Sequence, residues 1–198
     1  MTELMGSGES TSAGQGGRNG RVRAYVGLGS NVGDARATVR NAVRAIAALP
    51  GVAVRAVSPA YLTRPVGITD QPQFLNAVVA LDVPGGRTPG TGALALLTAL
   101  KQIEHALGRQ ERQRWGPREI DLDLLVFGRH LIHVGPAEGL WLKVPHASAH
   151  ERLFVLAPLA DLAPRLRPPG WHETVETARR RRLETEGEEA IQPAGTIF

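Results

Sequence analysis

The chain has 198 residues, 42% of them hydrophobic and none of them cysteine. That length supports one domain with its own core, and the composition excludes a fully disordered chain, disulfides, thiol catalysis and a cysteine-ligated metal. A net charge of +4 and a pI near 10.3 point to an anionic partner, either nucleic acid or a phosphorylated small molecule.

Residues 1–20 are rich in Gly and Ser without periodic apolar positions, and they are expected to form a disordered tail. They lack the apolar core of a signal peptide, and no later apolar run approaches the ~20 residues of a membrane helix. A cytoplasmic protein without a membrane partner is expected. Order begins at "RVRAYVGLG", read as a strand. Asp34 then caps a helix in which Val39, Ala42, Val43, Ile46 and Leu49 recur at helical spacing, ended by Pro50-Gly51.

"VAVRAVSPAYL" reads as a second strand and "QFLNAVVALDV" as a third. In the third, Leu75, Ala77, Val79 and Leu81 share one face, leaving Phe74 and Asn76 together on the other. A second helix is expected over about residues 91–107, closed by Gly108. An arginine-rich loop follows, then "EIDLDLLVF" as a fourth strand. The order βαββαβ matches the ferredoxin-like motif, an α+β sandwich with helices packed on an antiparallel sheet. Beyond it, "HLIHV" and "LWLKV" are strand-like, and "HERLFVLAPLADLAP" suggests a short helix interrupted by Pro158. Residues 173–198 read as a charged C-terminal tail, helical or loose, with Arg179–Arg182 as a solvated helix face or tail.

The chemistry concentrates in "RWGPREIDLDLLVF". On a strand Asp121 and Asp123 project from one face while Ile120, Leu122 and Leu124 project from the other. A solvated sheet face tolerates such a pair, but Arg109, Arg112, Arg114 and Arg118 stand close by in sequence. Two carboxylates can seat Mg²⁺ whose remaining ligands are phosphates and water, and arginine forks suit phosphate oxygens. An internal Arg-Asp ion-pair network is the structural alternative. Other phosphate signatures fail: Val32 takes the third glycine position of G-x-G-x-x-G, and there is neither a P-loop nor a zinc pattern.

The segments "AYVGLGSNVGD", "YLTRPVG" with "DQPQFLNAVVAL", "RWGPREIDLDLLVF" and "VPHASAHERLFVLAPLADLAP" together closely resemble the 6-hydroxymethyl-7,8-dihydropterin pyrophosphokinase family, in order, over residues 23 to about 169. The resemblance implies a ferredoxin-like domain over residues 21–172 that moves a pyrophosphoryl group from ATP to a pterin alcohol in folate synthesis. It implies two Mg²⁺ ions on Asp121 and Asp123, with ATP as co-substrate. It places the pterin between Phe74 and Phe154, near Thr63, Val66, Asn76 and Trp115. By the same matching, Lys101, Glu104, Arg114, Trp115, Arg118, His146 and Arg152 hold ATP. Arg109, Arg112 and Arg118 carry the catalytic charge, with Arg109 and Arg112 in a lid loop whose separate roles stay open. Small-molecule substrates, no nucleic acid and a monomeric chain follow as expectations. A basic ferredoxin-like nucleic-acid-binding module and a non-catalytic pterin-binding relative are the alternatives. The first predicts arginines without carboxylates among them.

Overall fold

The computed structural model describes residues 20–110, 115–137 and 140–198, so the expected tail before residue 20 lies outside the described residues. Strand β1 (Arg21–Ser30) leads into helix α1 (Ala35–Ala47), whose first turn is capped by Asp34: its carboxylate accepts from the Ala37 amide at 2.9 Å. The second expected strand is split into β2 (Ala53–Val57) and β3 (Tyr61–Thr63). Pro59 cannot donate to the ladder. Next to it the Ser58 hydroxyl accepts from the Val78 amide at 2.9 Å and donates to the Pro59 carbonyl, bridging the gap.

Strand β4 (Phe74–Pro84) and helix α2 (Pro89–Ala106) follow. The helix starts two residues earlier than its periodicity suggests, because Thr88 and Thr91 form a reciprocal cap with Pro89 in the first turn. Then come β5 (Asp121–Phe127), the hairpin β6 (Ile132–Ala137) and β7 (Leu140–Val144), and helix α3 (Leu153–Leu162). Pro158 lies inside α3 and does not interrupt it. The proline removes one helical donor, but Leu153 and Val155 to Ala160 are all buried, so packing holds the helix together.

The sheet runs β5-β1-β4-β3-β8, where β8 is Ile191–Pro193, with every pair antiparallel, and β2 pairs with β4 beyond β3. Its first four positions give the ferredoxin-like arrangement. One face carries Val26, Leu28, Val79, Leu81 and Leu122 against α1 and α2. Each fully buried aliphatic side chain there contributes about 1.5–3 kcal/mol. The other face carries Tyr25, Val78, Ala80 and Leu125 against α3 and a further helix. A bulge in β5 opposite Tyr25 and Val26 lets Leu125 and Val126 both point to this second face.

That further helix corrects the expectation of a charged tail. Residues after 172 form α4 (Val175–Glu186) and β8 (Ile191–Pro193), which pairs with β3. Val175 and Ala178 are fully buried, so two apolar positions in a charged stretch suffice to dock it. The arginine run stays on the outside, where Arg179, Arg181 and Arg182 pair with Glu176, Glu173 and Glu186. No helix among the described residues is long and apolar enough to cross a membrane.

Candidate active site

On the second face, α3 and α4 cover one end of the sheet and leave the other open. Pairing of β1 with both neighbours puts Gly29 between Asn76 and Asp121, and Gly27 between Val78 and Asp123. Two glycines in the central strand therefore lower the floor between the aspartates and Asn76. Over that floor lies a cavity of about 380 Å³.

The resemblance named thirteen residues that line this cavity: Thr63, Val66, Phe74, Asn76, Lys101, Arg109, Trp115, Arg118, Asp121, Asp123, His146, Arg152 and Phe154. Glu104 is not among the lining residues. Arg112 and Arg114 lie outside the described residues.

One wall is ionic. Arg109 bridges Asp121 and Glu104, 2.6 Å from each, and Arg118 pairs with the second oxygen of Asp121. Burial raises the Asp121 carboxyl, but Arg109, Arg118 and Lys101 more than offset it, leaving the group below the ordinary carboxylate range. Glu104, 3% exposed, sits behind this wall. Its Oε1 accepts from Lys101 Nζ at 2.7 Å and from the Leu122 amide at 2.6 Å, so it pins the β5 backbone between the two aspartates. Burial pushes the Glu104 carboxyl up despite these donors. Burial likewise pushes the His146 imidazole down, against the upward pull of Asp123, and so favours its neutral form.

Among the described residues the Asp123 carboxylate takes no hydrogen bond or ion pair, and no cluster of three or more His, Asp or Glu forms a closed metal cage. This donor set fits Mg²⁺, a hard cation that accepts one or two carboxylates and completes its shell with phosphates and water.

The opposite wall is aromatic and amide-bearing. Thr63 on β3 and Asn76 on β4 are buried, and Asn76 Nδ2 donates to Thr63 Oγ1 at 2.8 Å. Phe154 lies in the first turn of α3, and the Arg152 guanidinium lies 5.7 Å from its ring centroid and 5.9 Å from that of Trp115. Trp115 has φ 70°, a left-handed conformation unusual for a bulky side chain. Its side chain lies against Gly67, where an added Cβ would come within 3.1 Å of it.

Sequence reasoning missed the groups that join these walls. Asn31, just past β1, donates to Gln71 and to the Pro72 carbonyl and accepts from the Arg118 amide. Gln71 in turn donates to the Trp115 carbonyl at 2.8 Å. Gly27, Gly29 and Arg64 also line the cavity, and the sequence assigns none of them to the site. The signal for the glycines is their period-two spacing in β1, readable only once Asp121 and Asp123 are known to lie alongside.

Comparison with known proteins identifies the family and the fold. Residues 25–164 match the family model described as 7,8-dihydro-6-hydroxymethylpterin-pyrophosphokinase. The 2-amino-4-hydroxy-6-hydroxymethyldihydropteridine pyrophosphokinase of Pseudomonas aeruginosa is 46% identical over 151 residues, covering 76% of this chain and 86% of the relative. Its counterpart from Bacillus subtilis is 45% identical over 139 residues, covering 70% and 77%. Wild-type Plasmodium falciparum HPPK-DHPS superposes with a TM-score of 0.70 at 14% identity, over 89% of this chain. The chain spans about half of that solved protein, 48%, and at such identity the likeness concerns the fold alone. The chain belongs to the 7,8-dihydro-6-hydroxymethylpterin-pyrophosphokinase family.

Proposed function

We infer that the chain transfers a pyrophosphoryl group from ATP to 6-hydroxymethyl-7,8-dihydropterin, a step of folate biosynthesis, releasing AMP. The observation that carries this reading is a single cavity with carboxylates and arginines on one side and buried amide and aromatic groups on the other. The first side suits a polyphosphate and the second a flat heterocycle with a polar edge.

The acceptor hydroxyl attacks the β-phosphorus, the bond from that phosphorus to the bridging oxygen of AMP breaks, and the hydroxyl proton is lost. This chain's residues have mainly to hold the reactants in line and spread the phosphate charge. Phe74 and Phe154 flank the pterin, while Thr63, Asn76 and the Val66 segment read its edge. Lys101, Arg118, His146 and Arg152 contact ATP together with Trp115 and Arg114, and Arg109 with Arg112 closes over the reactants to exclude water. Glu104 contributes indirectly, by orienting Lys101, Arg109 and the β5 backbone. Asp121 and Asp123 would hold two Mg²⁺ ions, which when bound neutralise phosphate charge. A cytoplasmic, monomeric enzyme without a nucleic-acid partner belongs to the same proposal.

The test is AMP release from ATP and the pterin, with and without Mg²⁺, by wild type and Asp123→Ala. Release that requires pterin and Mg²⁺ and collapses in the folded variant supports the reading. A folded wild type that releases no AMP turns it toward a binding protein.

A further inference from the structure

The segment after α4 wraps the edge of the sheet. Ile191, 9% exposed, enters a small cluster with Tyr61 of β3 and Leu153 and Ala157 of α3. Ile197, 2% exposed, enters the main core on the opposite face, beside α1. Between them the backbone continues the ladder: β8 pairs with all three residues of β3, and Ala60 and Ala194 extend the contact, with Ala60 donating to the Gly195 carbonyl at 2.7 Å. Two arginines of α1 tie it down. Arg36 donates to the Thr196 and Ala194 carbonyls, and Arg40 to the Ile197 carbonyl at 3.2 Å.

The strand gripped in this way carries Thr63, and the helix touching Ile191 carries Phe154. Both residues belong to the aromatic, amide-bearing wall of the cavity. β3 is only three residues long, and without β8 its outer backbone groups would form an open edge. A short edge strand opens locally at low cost, and Asn76 would then lose the hydroxyl it donates to. The Ile191 side chain also fills the space behind Tyr61 and Leu153, so it sets how far β3 stands from the start of α3.

We propose that residues 191–197 are a positioning strap that fixes the spacing of Thr63 and Phe154, and thereby the affinity for the flat acceptor, without touching either substrate. The inference rests on the pterin reading above. It separates the two halves of the cavity, because among the described residues the strap's strand pairing and hydrogen bonds go to β3, its flank and α1, and none goes to β5 or α2, which carry the ionic wall.

Two full-length variants test it: Ile191→Ala, which empties the space behind the walls, and Arg36→Gln with Arg40→Gln, which unties the strap at α1 and leaves the core intact. Each is measured for backbone amide exchange at residues 61–63 and for KM and kcat with each substrate. Faster exchange in β3 with unchanged exchange in β1 and β5 is expected. The KM for pterin should rise about tenfold, with the KM for ATP and kcat within about twofold. Equal losses for both substrates, or faster exchange with an unchanged pterin KM, overturns the strap as a positioning device. Absence of AMP release by wild type overturns the functional reading instead, and the exchange data still decide the strap: unaltered exchange at β3 in both variants refutes it.

Discussion

The Asn31 side-chain nitrogen donates to Gln71 Oε1 at 3.0 Å, and the Asn31 side-chain oxygen accepts from the Arg118 amide at 2.8 Å. One amide thus joins the loop after β3 to the loop before β5, linking the aromatic wall to the ionic one. A buried side chain using both donor and acceptor cannot be truncated without orphaning its partners.

Asn31→Ala should therefore lose about 1–3 kcal/mol in urea unfolding and at least about tenfold in kcat/KM. Asn31→Asp keeps the acceptor for Arg118 but turns a buried carboxylate oxygen toward Gln71 Oε1 and the Pro72 carbonyl, so its loss should be at least as large. If both variants match wild type in unfolding and turnover, the two loops are held by something else.

Gly29 makes a second case, because an added Cβ there would lie 3.2 Å from Asn76 Oδ1. That distance is tight, and the Asn76 amide would have to move. Gly29→Ala should leave thermal stability within about 0.5 kcal/mol of wild type, since a strand position tolerates alanine and the clash is with one side chain. Pterin affinity should fall about tenfold in a titration followed by pterin fluorescence. An unaltered titration would mean that Asn76 does not read the ligand.

The sequence makes the fold legible because its signals are local. Asp34 as a cap, the period of Val39 to Ile46 and the alternation of Asp121 and Asp123 each describe neighbours in the chain, and each reappears in the structure. The lining residues become legible through resemblance to a family. What stays hidden depends on distant partners. The resemblance names Glu104 for ATP, but its grip on the backbone shows only once β5 is placed beside α2, where its carboxylate meets the Leu122 amide. The stretch after residue 172 looks solvated because charge dominates its composition, and its few apolar anchors, Val175, Ala178, Ile191 and Ile197, show no long period. Pro158 looks like a break when intrinsic propensity is weighed without the packing that overrides it.

The buried position of Glu104 leads to a contrast between two substitutions. Glu104→Ala leaves Lys101 and Arg109 short of a counter-charge and the Leu122 amide without its acceptor. Breaking a buried pair by removing one partner costs about 3–5 kcal/mol, and a loss near that size is expected in denaturant unfolding. Glu104→Gln keeps an oxygen for Leu122 but removes the charge and turns an amide donor toward Arg109, so it should lose less stability than the alanine variant without matching wild type. Turnover should fall in both, because Arg109 is released from one of its two anchors. Equal unfolding free energies for the two variants would show that pinning of the β5 backbone contributes nothing.

Tyr61 links the fold to pH. Its hydroxyl donates to Asp161 Oδ2 at 2.7 Å, and burial, reinforced by this bond and by the carboxylate's charge, pushes the phenol up to about 12. An unfolded tyrosine titrates near 10, so folding favours the neutral, protonated phenol. A group whose folded pKa is raised gives stability that is complete below the unfolded value and fades as pH rises through the folded one. A tenfold difference in proton affinity between the folded and unfolded chain is worth about 1.4 kcal/mol. Between about pH 10 and 12, wild type should therefore lose about 2 kcal/mol from this residue alone, after an allowance for solvent screening at its partly buried hydroxyl. Tyr61→Phe has no ionisable group there and should start lower, for want of the hydrogen bond, yet fall less steeply. The two curves should converge at the alkaline end. Urea midpoints measured from about pH 9 upward would expose the difference, and parallel curves across that window would mean that the Tyr61 phenol titrates as it does in water.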